Sequence, residues 1–436
     1  MKKSPAKKQA LQRPKGTQDL YTPEISRWHH LEKTCQRIFT QYGYSEIRPP
    51  VFESTALFMR GVGETTDIVN KEMYTLASKT AEESDSNINT LTLRPEGTAG
   101  VVRAYIENGM SRWQKPVKLY YMGPMFRYER PQAGRQRQFH QIGIESFGID
   151  SPAADAEVIF MAMQLFKHLG LRDLTLQINN IGTPACREQF KVTLKAKLAN
   201  QLPQLCNDCK TRYETNPLRL LDCKMPSCQA LLQTPEIQNF LAQDFTAEVE
   251  QKAFNQLLSL LDELEIAYYR NPTLVRGLDY YTRTVFEITS SSDALGAQNT
   301  ICGGGRYNPL VETLGGPETP GIGWALGVER LLRLLPEIPL PPLDFYIATD
   351  CHARAFQLAE RLYHQGFSAE VDLTEKPAGK QLEKASKRGA KQAILYFQDA
   401  VQARKIVCKT LSTGEQFSGS LDGFLEALQG TSVKSL

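Results

Sequence analysis

The sequence predicts a large domain of helices and antiparallel strands, interrupted by a helical insertion and followed by a small α/β domain. Three observations carry this reading. Two strand-like segments, 118–128 and 139–147, flank a polar, basic loop (ERPQAGRQRQ), the pattern of a long-loop hairpin. Residues 183–264 change to a helical composition rich in Gln and Leu. After a Pro-rich linker at 336–343 the pattern becomes β-α-β-α-β, which argues for a separate domain at 344–436. The large domain is then 1–182 together with 265–335, with 183–264 inserted.

Composition bounds the possibilities. A chain of 436 residues exceeds one ordinary core. Its 41% apolar and 23% charged residues describe a globular protein, and no apolar run reaches bilayer length, so no membrane partner is expected. The first eight residues are basic but lack an apolar stretch, and read as a frayed tail rather than a signal peptide. A net charge of +3 neither demands nor excludes nucleic acid. Nine cysteines, an odd number without a secretory leader, point to a reduced, cytoplasmic compartment.

The elements follow in order. Ile25, Trp28, Leu31, Cys35 and Ile38 have helical spacing over 24–41, with Gly43 as the stop. Residues 45–52 read as a strand that Pro49 and Pro50 confine to an edge or a bend. Residues 81–90 are loop-like. In the hairpin, period-2 alternation places Met125, Arg127 and Glu129 on one face, and Gln141, Gly143 and Glu145 on one face of the partner strand. Ile142 and Ile144 turn the other way, so one sheet face is expected to be apolar and the other polar. A strong helix covers 153–169. Strand signals resume at 279–288. A Gly-rich turn (302–306) and a strand-to-helix junction (321–335) complete the large domain. In the small domain the expected strands are DFYIA, SAEVDL and AILYF, alternating with helices at 353–364 and 379–388.

Three blocks carry chemistry. Arg127, at a strand end, suits an α-phosphate or a carboxylate; Glu129 suits an adenine amino group; Arg130, Arg135 and Arg137 suit triphosphate and RNA backbone. An ordinary solvated hairpin loop would carry the same residues. The block RGLDYYTRTVFE, 276–287, puts an arginine before a strand holding Tyr280 and Tyr281. In GIGWALGVERLLRLL, Arg330 occupies the first turn of a helix, against the dipole, a placement that suits an external anion. Cys206-x-x-Cys209 and Cys223-x₄-Cys228 approach zinc-ribbon spacing, although the second pair is wide; buried reduced thiols are the favoured alternative to a structural zinc.

Together the blocks resemble the second and third signature motifs of class II aminoacyl-tRNA synthetases, with 276–287 resembling the peptide peculiar to histidyl-tRNA synthetases. RPKGTQDL, TLRPEGTAG, FRYERPQAGRQRQFHQIGIESFG and GGRYNPLVETLGG are similar to the same family, over nearly the whole chain. The resemblance implies an α+β catalytic domain, an antiparallel sheet flanked by helices, in a homodimer whose first motif comprises the helix after Glu24 and the strand leading to Pro50. It also implies a C-terminal anticodon-binding domain. The expected activity is ATP-dependent attachment of L-histidine to tRNA(His) through a histidyl-adenylate.

Carried over residue by residue, Glu96 and Thr98, with Gln141, resemble the holders of the histidine ammonium group. Glu145 and Tyr281, with Tyr280 beside them, resemble the group that reads the imidazole; a carboxylate and a hydroxyl can satisfy both ring nitrogens. Arg127, Arg276 and Arg330 resemble the arginines around ATP, with Glu129, Arg135 and Phe139. Arg127 and Arg276 are the expected catalytic pair, Arg276 partly replacing a metal at the α-phosphate, while Mg²⁺ arrives with ATP. Gln132 and Arg137 resemble contacts to the tRNA acceptor end. Lys380, Lys384, Lys387 and Lys391 fall on one helical face with Arg388 adjacent, and suit an anticodon stem or simply a solvated surface. Two other readings use the same motifs: a regulatory paralogue that binds histidine without catalysis, and a synthetase of the same subclass for another amino acid. The RGLDYY block, the C-terminal domain and Glu145 argue against both.

Overall fold

The computed structural model describes residues 10–76, 90–131, 134–241, 243, 245–296 and 299–429. The chain divides into two compact units, Met1–Ile338 and Pro339–Leu436. The strands of the first unit are β1 (Ser45–Glu46), β2 (Phe52–Ser54), β3 (Tyr74–Leu76), β4 (Leu91–Leu93), β5 (Val117–Phe126), β6 (Gln138–Phe147), β7 (Leu174–Asn180), β8 (Tyr268–Arg270), β9 (Thr282–Ser290), β10 (Thr300–Arg306) and β11 (Gly321–Gly327). Eight of them form one sheet in the order β1-β5-β6-β11-β10-β9-β7-β8. Pairing is antiparallel from β5 through to β7, and parallel only at the two outer pairs, β1–β5 and β7–β8. The β5–β6 hairpin keeps register over ten pairs, from Val117↔Phe147 to Phe126↔Gln138. A small antiparallel sheet, β2-β4-β3, stands beside it.

Period-2 alternation sorts the side chains onto two faces. Ile142, Ile144, Phe286, Ile288 and Trp324 turn to one face and pack with Trp28, Leu31 and Phe39 of the helix Ile25–Gln41 and with the helix Pro152–His168. Ser151 caps the latter, its hydroxyl accepting from Ala154 N–H at 3.3 Å. Leu119, Tyr121, Met125, Phe147 and Val285 turn to the other face, under the helix Thr98–Glu107. The polar face expected from the hairpin is therefore mixed: the polar groups occupy a hole in a second apolar layer, because a sheet this broad needs cover on both sides.

Three expectations change in detail. The strand expected at 45–52 splits at Pro49–Pro50, which cannot donate to a ladder, and its halves join different sheets. The glycines of 302–306 form the central strand β10, not a turn. Tyr280 and Tyr281 precede β9 and enter the same apolar cluster rather than alternating. Tyr280 ends a turn and Tyr281 lies before the ladder, so period-2 alternation does not reach them; the ladder itself starts irregularly, its register shifting between Gly305↔Val285 and Arg306↔Thr282, with Arg283 at φ 52°. The loop expected at 81–90 lies, apart from Thr90, outside the described residues.

Residues 183–264 form two kinds of structure. Helices from Pro184–Leu198 to Pro235–Leu241 build their own core around Leu194, Leu198, Cys209, Leu220, Cys228 and Phe240. The helix Glu248–Glu263 packs instead on the main core, through its stripe Phe254, Leu257, Leu258 and Leu261.

In the second unit, β12 (Phe345–Ala348), β13 (Ala369–Val371), β14 (Gln392–Leu395), β15 (Lys405–Thr410) and β16 (Gln416–Ser420) form a sheet ordered β13-β12-β14-β15-β16. The first three are parallel, as β-α-β-α-β alternation requires. The antiparallel β15 and β16 and the helix Leu421–Gln429 extend it beyond the expected pattern.

Arg306, at the end of β10, is almost fully buried and pairs with buried Asp155 at 2.5 Å, tying the sheet to the helix Pro152–His168. Asp155→Ala, which leaves that guanidinium buried without its nearest partner, is expected to destabilise the protein by about 3–5 kcal/mol. The chemical-denaturation midpoint checks this; an unchanged midpoint contradicts it.

Candidate active site

The hole in the second apolar layer is a cleft of about 200 Å³ over β6, β10 and β11, closed by the segment that leads into β9. At one end lie Glu96, Thr98, Gln141, Tyr280 and Tyr281; at the other, Arg127, Glu129, Arg135, Phe139, Arg276 and Arg330. The two groups named separately in sequence thus share one cavity. Glu145 lies just behind its wall.

Glu96 sits before the helix Thr98–Glu107. Its two oxygens accept from the Thr98 and Ala99 N–H groups, both at 2.8 Å, so the carboxylate occupies the helix N-terminus. Tyr280 Oη approaches it at 3.4 Å. Burial raises its pKa, against those two N–H bonds and the Arg127 charge. Glu145, on β6, faces Gly323 on β11. A Cβ at 323 would lie 2.1 Å from Glu145 Oε2, so glycine makes the space for this carboxyl. Thr98 Oγ1 donates to Oε1 at 2.7 Å and Tyr307 Oη to Oε2 at 2.5 Å. Burial pushes the Glu145 pKa up to about 8, with the two hydroxyls working downward and Glu96 upward. Tyr281 does not bond Glu145; Thr98 and Tyr307 do. Gln141 Oε1 and Tyr121 Oη are buried and find no hydrogen-bond partner among the described residues. This end therefore has one carboxyl on its wall, Glu96, and one behind it, Glu145, both displaced toward the neutral form, with spare polar atoms beside them. It is built for a small cationic, hydrogen-bonding ligand.

The other end is cationic. Arg276 is paired with Glu287, whose second oxygen accepts from Thr300 Oγ1 at 2.9 Å. The guanidinium passes over Gly303, where any Cβ would fall 2.4 Å from it, and stands 5.8 Å from the Tyr281 ring centre. Burial works to lower its pKa, but Glu287 holds it above the ordinary arginine range. Arg127 donates from Nε to Pro95 O at 2.9 Å, with Glu129 at 3.8 Å and the Phe139 ring 5.2 Å beneath. Arg330 donates to Gly134 O at 3.2 Å and Thr300 O at 3.0 Å. Burial, then the Arg135 and Arg127 charges, hold its guanidinium below its usual range. Cations that repel one another in a partly desolvated cleft favour a polyanion between them.

The remaining residues lie elsewhere. Gln132 falls outside the described residues. Arg137 stacks on Tyr128, 4.2 Å from its ring centre, and donates to Glu129 O. In the second unit the helix is Ala378–Lys387, so Arg388 and Lys391 lie past its end. The basic face is not free: Lys380 and Lys387 pair with Glu383, Lys384 with Asp372, Arg388 with Glu370 and Lys391 with Asp344. Glu383 sits on the same helix, three residues after Lys380 and four before Lys387, whereas Glu370, Asp372 and Asp344 come from β13, its end and the residue before β12, which helical spacing does not reveal. Cys206, Cys209, Cys223 and Cys228, for which no metal was favoured, come together in the insertion.

Three contributors went unassigned in sequence. Tyr307 stood within GGRYNPLV, and Glu287 within the 276–287 block, so motif membership was their signal. Tyr121 carried none; it reads as a core tyrosine of β5.

The family described as Histidyl-tRNA synthetase matches residues 16–331, and the anticodon binding domain family matches 341–431. The chain is 45% identical to the histidine--tRNA ligase of Desulfitobacterium hafniense over 428 residues, covering 96% of this chain and 98% of that one. It is 44% identical to that of Caldanaerobacter subterraneus subsp. tengcongensis over 425 residues, covering 95% and 99%. Among solved structures, apo S. aureus histidyl-tRNA synthetase superposes with a TM-score of 0.77 at 37% identity, over 96% of this chain and 100% of that one. An ATP phosphoribosyltransferase regulatory subunit/histidyl-tRNA synthetase from Bacillus halodurans C, at 20% identity and TM-score 0.63, shares the fold. Matched along both units and almost from end to end, the chain belongs to the histidyl-tRNA synthetase family.

Proposed function

We propose that the chain joins L-histidine to tRNA(His) in two steps, and that the cleft over β6, β10 and β11 performs both. The observation that carries this is one cavity with buried carboxyls at one end and converging arginines at the other. The ammonium group of histidine lies against Glu96, Thr98 and Gln141. The imidazole lies toward Tyr281, Tyr280 and the Glu145 network. ATP, with its Mg²⁺, lies along Arg127, Glu129, Arg135, Phe139 and Arg330.

In the first step a histidine carboxylate oxygen attacks the α-phosphorus, and pyrophosphate leaves. Two anions must approach in line, and negative charge grows on the phosphoryl oxygens. Arg276 and Arg127 bring fixed positive charge to that point. Glu287 holds Arg276 in place beforehand, so little reorganisation is needed at the moment of reaction. In the second step a terminal ribose hydroxyl of the tRNA attacks the adenylate carbonyl and AMP leaves. Gln132 and Arg137 serve the acceptor end. Lys380, Lys384 and Arg388 serve the anticodon side, where RNA phosphates have to compete with the carboxylates now paired to them. The active form is a cytoplasmic homodimer.

Two outcomes test this reading. Arg276→His is expected to keep the fold and to lower histidine-dependent pyrophosphate exchange by about 10²–10³-fold; near wild-type exchange contradicts the role. The second outcome concerns pH. Glu145 is protonated below its pKa of about 8, and free imidazole is neutral above about 6.5. The complex shares one proton between them, so acid forces a proton off and alkali forces one on. Histidine affinity should therefore be bell-shaped in pH, highest between those two values, and Glu145→Gln should move the alkaline limb up to the pH at which the ligand's own ammonium group loses its proton. Calorimetric titration across pH 5.5–9.5, roughly one unit beyond each limb, checks this; a flat profile contradicts it.

A further inference from the structure

The insertion contains a cluster that the reaction does not use. Cys206 immediately precedes the helix Asn207–Thr215, and Cys209 lies in its first turn. Cys223 follows the turn Pro217–Leu220, and Cys228 lies in the helix Pro226–Leu232. Their four sulfur atoms all lie within 4.8 Å of one another. Cys206 Sγ and Cys223 Sγ are 3.9 Å apart, far beyond the roughly 2.05 Å of a disulfide. A tetrahedral ion with metal–sulfur bonds of about 2.3 Å sets sulfur–sulfur edges of about 3.8 Å. The Cys206–Cys223 pair already has that edge, and no other pair exceeds 4.8 Å. Backbone N–H groups also point at sulfur: Cys206 N–H donates to Cys228 Sγ at 3.3 Å, and Met225 N–H to Cys223 Sγ at 3.4 Å. Such outer bonds orient thiolate ligands around a metal and favour the charged sulfur. The wide spacing of the second pair is no obstacle, because the turn into the helix Pro226–Leu232 folds the extra residues away.

We propose that these four thiolates hold one structural zinc ion. Four sulfur donors select a soft or borderline ion, and a closed set of four leaves no position for water or substrate, so the site is structural. Three of the cysteines belong to the core of the insertion, and the fourth, Cys206, is partly exposed and gives the ion its entry. The zinc fixes the segment between the two pairs. That segment grips the catalytic layer: Arg212 and Arg219 both reach Asp67, at 3.1 and 2.8 Å, and Asn216 Nδ2 donates to Asp279 Oδ1 at 2.9 Å. Asp279 lies in the block that carries Arg276, Tyr280 and Tyr281. The metal therefore supports the active-site loop from outside, without touching a reactant.

The test uses the full chain, purified with reductant and without chelator, and elemental analysis. About one equivalent of zinc per chain is expected. Iodoacetamide labelling mapped by mass spectrometry should leave Cys206 unmodified until the ion is removed, and cobalt reconstitution should produce thiolate-to-metal charge-transfer absorption. The double variant Cys223→Ser, Cys228→Ser should hold less than about a tenth of an equivalent; should it not fold, the cobalt spectrum and the labelling of the unaltered chain still decide. Less than a tenth of an equivalent in the unaltered chain after exposure to zinc, with Cys206 freely labelled, overturns the proposal. One equivalent of iron in place of zinc overturns it as well.

Discussion

Everything in the active site depends on keeping the Glu145 carboxyl inside a closed sheet. Its two oxygens have no water to turn to, so each must find a donor within the protein. Thr98 supplies one from the helix on the second layer, and Tyr307 the other from beyond β10. Gly323 opposite leaves the space, and a larger residue there would collide with the carboxyl. Sheet, helix and the turn after β10 thus meet at one group. That convergence fixes the back of the pocket before any ligand arrives. Even with both bonds made, burial keeps the carboxyl biased toward its neutral form. A neutral ring that accepts the carboxyl's proton would relieve that bias, which is the basis on which the proposed pocket selects an imidazole.

The cationic end obeys the opposite constraint. Guanidinium groups do not lose their charge, so the protein has to neutralise or spread it. Arg276 is neutralised by Glu287 and lies flat over Gly303; Arg127 is stacked on Phe139; Arg330 rests on two carbonyl oxygens. None is loose, and their positions are fixed by the strands beneath. The glycine run of β10 serves this end as Gly323 serves the other: a bare backbone lets a large charged side chain lie across a central strand.

Much of this was legible in the sequence. The amphipathic helix at 24–41, the hairpin and the β-α-β-α-β tail each follow from periodicity, because each buries one regular stripe or face. The grouping around the cavity was legible through the motifs, which put Glu96, Gln141, Tyr281 and Arg276 together before any geometry was available. What periodicity could not show was long-range or irregular. Tyr280 ends a turn and Tyr281 precedes β9, so strand alternation does not govern the two adjacent tyrosines. Tyr307 lies 162 residues from the carboxyl it bonds. The carboxylates that neutralise Lys384 and Arg388 arrive from a neighbouring strand and its end, and the four cysteines meet only when a turn closes. In each case the partner is set by tertiary folding, not by local spacing.

The proposed cleft has to activate histidine and no other amino acid. Pyrophosphate exchange into ATP, measured without tRNA for each of the twenty amino acids, tests it most directly. Exchange with histidine alone is expected, because only histidine brings both an ammonium group and a ring that can share a proton with Glu145. Exchange with a different amino acid, or histidine binding without any exchange, would contradict it.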